Sequence, residues 1–137
     1  MEDKNKESVN YRISRDVKDL FIKSVPYYLP GGASIIVSTL IEEFLKSEDI
    51  QNEFFALVEK DVLKQFKMRK SKTNFGVYMD LVLHYQLKEF IRKKKVKLTY
   101  AIELLLYMFA KNENIRKRIL EIILANNPID STNDIQE

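Results

Sequence analysis

With 137 residues, 23 Lys and Arg against 20 Asp and Glu, and 45% apolar content, the chain is sized for one compact domain or two small motifs on a shared core. The absence of cysteine excludes disulfides and thiolate metal sites, and three glycines with one histidine leave little for phosphate loops or imidazole chemistry. No apolar run reaches the roughly 20 residues needed to span a bilayer, and M-E-D-K-N-K-E lacks the basic-then-apolar order of a secretory signal; a cytoplasmic protein without a membrane partner is expected.

Residues 1–7 are polar and read as a flexible arm. In Ser8–Ser14 the apolar Val9, Tyr11 and Ile13 alternate with polar residues, the period of a strand with one face buried. Ser14 stands where a helix cap is needed, and Val17, Leu20, Phe21, Ser24 and Val25 follow at helical spacing until Pro26 ends or kinks the helix. The turn Tyr27–Gly32 is unusually apolar, so part of it should pack. Ser34 is read as the cap of a second helix that buries Val37, Leu40, Ile41, Phe44 and Leu45 and turns Glu42 and Glu43 outward. A third helical pattern runs from Ile50 through Phe54, Phe55, Val58 and Val62 to Phe66, and Lys70–Thr73 reads as a connector.

The pattern then recurs. Phe75, Val77 and Met79 alternate within Asn74–Asp80, Asp80 takes the cap position of Ser14, and Leu83, Leu87, Phe90 and Ile91 form the next stripe. A basic loop, Arg92–Lys97, leads to Thr99 as a cap, and Ile102, Leu105, Leu106 and Phe109 repeat the second helix. The strands and first helices match at an offset of 66 residues, and the third helices match at 65, from Lys46 to Lys111 and Ile50 to Ile115. This points to an internal duplication. The expected architecture is mainly α with a two-stranded antiparallel ribbon: residues 8–69 form one unit, 70–126 a second on the same core, and 127–137 a tail.

Bases are concentrated rather than spread. Lys64, Lys67, Arg69, Lys70 and Lys72 precede the second strand with no acid among them, and Arg92, Lys93, Lys94, Lys95 and Lys97 form the second cluster. Such asymmetry favours a polyanion on one face.

The segment V-N-Y-R-I-S-R-D-V, a helix, a glycine-containing turn and S-I-I-V-S-T-L-I-E-E-F-L together resemble the ribbon–helix–helix DNA-binding family, with a weaker second copy over residues 74–110. Two copies in one chain are similar to the tandem, TraY-type conjugation accessory proteins. The resemblance implies a single-chain pseudodimer whose ribbon enters the major groove of double-stranded DNA; the extra third helix after each repeat lies outside the resemblance. In that arrangement Ser8, Asn10, Arg12, Asn74, Gly76 and Tyr78 face the bases; Arg12 and Asn10 are the expected readers, because Arg and Asn bind guanine and adenine bidentately. Ser34 and Thr99, at helix starts aimed at the backbone, with Lys95, Lys97, Arg69, Lys70 and Lys72, are the expected phosphate contacts.

The resemblance implies a relaxosome accessory protein, with a relaxase or another conjugation protein as partner, or a transcriptional regulator. The competing class is a protein–protein interaction module, an antitoxin or helical adaptor, with the third helices available for self-association. No nucleophile–base pair, metal-ligand spacing or cofactor loop is present, so neither catalysis nor a cofactor is expected. His84 falls beside the stripe of its helix and is read as an exposed flank residue.

Overall fold

The alternation that marks the strands also fixes how they pair. The computed structural model describes residues 6–29, 31–66 and 71–126. Strands β1 (Lys6–Ser14) and β2 (Lys72–Asp80) form a two-stranded antiparallel sheet, in register from Lys6 opposite Asp80 to Ser14 opposite Lys72. Tyr11, Ile13, Phe75, Val77 and Met79 are buried beneath it, and half-buried Val9 packs against them. Both strands begin two residues earlier than their own alternation indicates. Lys6 and Glu7 belong to the ribbon, not the arm, because Asp80 and Met79 lie opposite them; Lys72 and Thr73 likewise face Ser14 and Ile13. Arg69 and Lys70, the remainder of the arm and the 127–137 tail lie outside the described residues.

Among the described residues six α-helices follow the strands: α1 (Arg15–Lys23), α2 (Gly32–Lys46) and α3 (Glu48–Lys60) after β1, then α4 (Leu81–Lys93), α5 (Leu98–Lys111) and α6 (Glu113–Asn126) after β2. α1 stops short of Pro26, with the Ser24 hydroxyl donating to the Phe21 carbonyl at 2.7 Å. The α2–α3 and α5–α6 joints are built alike. Ser47 Oγ accepts from the Ile50 amide at 3.4 Å, and Asn112 Oδ1 accepts from the Ile115 amide at 3.0 Å. The third helical pattern does not continue to Phe66: Asp61 takes a left-handed φ of 52°, and Val62–Phe66 is a 3-10 turn. Asp is one of the few residues that tolerates this conformation.

The apolar α2 and α5 occupy the centre, and each half of the chain packs on the central helix of the other. α1, α3 and β1 lie on α5, while α4, α6 and β2 lie on α2. Phe21 on α1 therefore meets Phe109 on α5 at 5.5 Å between ring centroids, and Phe44 on α2 meets Phe90 on α4 at 5.4 Å. Among the described residues all the buried apolar side chains belong to one cluster.

Two acids on the central helices are buried, Glu43 against its expected outward position. Glu43 is covered because α6 crosses that flank of α2, and its carboxylate accepts from Arg118 Nη2 at 3.2 Å with Lys46 Nζ at 3.6 Å. Glu103, on α5, sits under the end of the ribbon, where it accepts from the Ser14 amide at 2.7 Å and lies 3.8 Å from Lys72 Nζ. Burying a carboxylate is costly unless such partners compensate it. In the apolar turn Leu29 packs, whereas Tyr27 and Tyr28 are exposed. Among the described residues no helix is long and apolar enough to cross a membrane.

Candidate nucleic-acid interface

A strand with one buried face must offer the other to solvent. The outer face of the ribbon consists of cross-strand pairs: Ser8 opposite Tyr78, Asn10 opposite Gly76 and Arg12 opposite Asn74. All six expected base-facing residues are exposed and share this face. Lys6 with Asp80, and Ser14 with Lys72, extend it at either end. Arg12 Nη1 donates to Asn74 Oδ1 over 3.4 Å, a long and therefore weak bond that leaves most of the guanidinium fork unused. Lys18 Nζ reaches the Asn74 carbonyl at 3.3 Å and adds charge at the ribbon edge, a residue the strand pattern gave no reason to select.

Gly76 makes room for a side chain. A Cβ at this position would stand 3.1 Å from Asn10 Oδ1 and 3.8 Å from Ser8 Oγ, so Asn10 lies across the space the glycine leaves. Gly76→Ala is expected to turn the Asn10 amide away while changing stability by no more than about 0.5 kcal/mol, as usual for an exposed site. Side-chain amide resonances read this directly, and an Asn10 signal identical to wild type would refute the packing.

The starts of α2 and α5 lie at opposite ends of the ribbon, but not with the caps expected. Gly31, with a left-handed φ of 85°, is the N-cap of α2, and Ser34 is inside the first turn, where its hydroxyl accepts from the Tyr78 amide at 3.0 Å. The serine thus ties helix to strand. Lys97, not Thr99, is the N-cap of α5, and Thr99 is exposed on its first turn. Neither helix has a side-chain cap bond, so their first-turn amides have no side chain competing for them. Lys6, Gly31, Ser34 and Tyr78 share one cleft; Ser14, Lys72, Tyr100 and Glu103 share the corresponding cleft at the other end.

The basic loop is divided in use. Arg92 is held by Glu89 at 2.6 Å, and Lys94 lies over the Phe90 and Phe55 rings at 5.6 and 5.8 Å. Lys95, at a left-handed φ of 62°, and Lys97 are exposed. Lys72 is drawn towards Glu103, which reduces the charge it can offer an anion. Among the described residues no cluster of His, Asp and Glu is arranged to hold a metal ion.

Beneath the ribbon is a polar contact that the sequence pattern did not indicate. The Tyr11 hydroxyl meets His84 Nδ1 at 2.8 Å, joining β1 to α4, so His84 is half-buried rather than on an exposed flank. Burial pushes the Tyr11 phenol up to about 12, and burial together with Lys88 holds the imidazole below its ordinary value. A base with a lowered folded pKa is protonated first in the unfolded chain, so stability falls as pH drops below about 6.5. The melting midpoint is expected to decline from pH 7.5 to 5.5, and His84→Gln, which keeps an acceptor, should flatten that slope. An unchanged slope in the variant would exclude His84 as the cause. Compared with protein-family models, curated proteins and solved structures, the chain has no match.

Proposed function

We propose that this protein is a sequence-specific double-stranded DNA-binding protein, a tandem ribbon–helix–helix pseudodimer that lays its ribbon in the major groove and has no catalytic role. The pairing register carries this reading. Asn10 is opposite Gly76, the residue 66 positions along the chain and thus its own counterpart in the repeat. Ser8 faces Tyr78, the counterpart of Arg12, and Arg12 faces Asn74, the counterpart of Ser8. A two-fold relation centred on Asn10 and Gly76 requires this register, and a one-residue slip would break it.

The same relation accounts for α1 on α5 matching α4 on α2, and for the two clefts at the ribbon ends. A two-stranded ribbon fits the major groove in width, and its exposed Arg and Asn match the base edges there. The uncapped starts of α2 and α5 at its two ends suit phosphates, with Lys95 and Lys97 beside the second. Since Arg12 and Asn10 are matched by Tyr78 and Gly76, the element read is non-palindromic. A role as a relaxosome accessory protein or transcriptional regulator follows from the resemblance, as does a relaxase partner.

The test is selection of bound duplexes from a genomic fragment library at moderate and high salt. One enriched short motif that survives the salt challenge is expected. Uniform binding that collapses with salt would reduce the function to phosphate binding, and no binding at all would remove DNA as the partner.

A further inference from the structure

Five of the large apolar side chains that this fold leaves exposed lie on two surfaces, and those surfaces differ in shape. On one, Tyr27 is 97% exposed and Tyr28 60%, their rings edge-to-face at 5.9 Å, with Ile22 at the end of α1 44% exposed. Turn bonds from Leu29 to Pro26 and from Gly32 to Leu29, and the burial of Leu29, fix the base of this turn and leave the tyrosines projecting. On the other, Val82 and Tyr85 of α4 are 52% and 57% exposed, and with Leu45 and Phe90 they line an open, mainly apolar groove of about 640 Å³. Apolar surface gathered in this way marks a contact site, whereas single exposed residues do not.

We infer that the Tyr27–Tyr28 knob of one copy of this chain seats in the Leu45–Val82–Tyr85–Phe90 groove of a second copy, joining copies head to tail. The rims agree in charge. Asp19 and Lys23 on α1, and Glu89 and Lys93 on α4, are both an acid followed by a base four residues on, and all four are exposed. Two such helix faces laid antiparallel bring Asp19 to Lys93 and Lys23 to Glu89. The occupant is not the chain's own knob, since Tyr27 is almost fully exposed within it. A copy that gives its knob keeps its groove open, so the contact propagates from copy to copy; a reciprocal dimer, each knob in the other's groove, would stop at two copies. The surface differs from the third helices, and the inference holds whether or not the ribbon binds DNA.

Sedimentation of the full-length chain over a concentration series tests it. Wild type is expected to rise in mass past a dimer. Tyr27→Ser with Tyr28→Ser removes the knob, and Val82→Glu with Tyr85→Glu fills the groove with charge; each double variant should remain monomeric alone. All four positions are exposed, and a thermal melt of each variant establishes that it is folded. Mixed in equal amounts, the two double variants retain one knob and one groove between them and should form a dimer that grows no further. A wild type that stays monomeric to millimolar concentration overturns the inference, as does a folded variant that associates like wild type. A wild type that stops at a dimer overturns the head-to-tail arrangement, as does a mixture that stays monomeric.

Discussion

Produced separately, residues 1–70 and 71–137 are each expected to lack a concentration-independent folding transition, and their equimolar mixture to show a cooperative transition whose midpoint rises with concentration. The reason is where each half buries its apolar surface. Val17 and Phe21 of α1 are covered by α5, Leu83 and Leu87 of α4 by α2, and neither strand has a ladder partner within its own half. A half of this size gains only a few kcal/mol from the best core it can form, and here the covering elements belong to the other half. The first half retains an escape. Pairing β1 with the β1 of a second copy would place Asn10 opposite Asn10, so a folded form of that half should appear only as a dimer whose stability rises with concentration. Circular dichroism melts over a hundredfold concentration range check this. A cooperative melt in either half alone, at a midpoint independent of concentration, would show that the two units do not depend on each other.

The outcome for particular residues shows which features of this fold are local. The alternation of Val9, Tyr11 and Ile13, and of Phe75, Val77 and Met79, is a local signal, and it identified both strands and their buried faces. The strand ends were not local. Glu7 breaks the alternation, yet it is in the ribbon because Met79 stands opposite, so a partner set the boundary.

Two of the expected caps, Ser34 and Thr99, failed in the same way, while Ser14 and Asp80 do start α1 and α4. Ser34 is a good N-cap residue by type, but Gly31 starts the helix earlier by adopting a left-handed φ, and the serine is used on the Tyr78 amide instead. Helical periodicity turns Glu43 outward and has no means of knowing that α6 covers that flank of α2. The Tyr11–His84 bond was hidden for a similar reason, since 73 residues separate its partners. The polar face of the ribbon was legible because it is the complement of a buried face. The knob carries no periodicity, and Leu45 and Phe90, which lie on the apolar stripes of their helices, read as core although they line an open groove.

Arg12→Ala is expected to lower the preference for the selected DNA element over random duplex by roughly tenfold to a hundredfold, the worth of one bidentate base contact of about 1–3 kcal/mol. The fold should be unaffected, because Arg12 is exposed and its bond to Asn74 is long. Lys97→Ala provides the contrast. A lysine at a helix start contacts backbone, so its loss should weaken specific and random duplex alike and reduce the salt slope by about one ion. The two variants therefore separate reading from holding in a single competition assay. The ribbon adds a further condition. Arg12 is matched across the repeat by Tyr78, whose phenol cannot replace a guanidinium fork, so the lost preference should fall on one half of the element and leave the other half intact. If Arg12→Ala retained the full sequence preference, base readout by this face would be excluded; if the loss were equal in both halves, the residue would be positioning the ribbon and not reading a base.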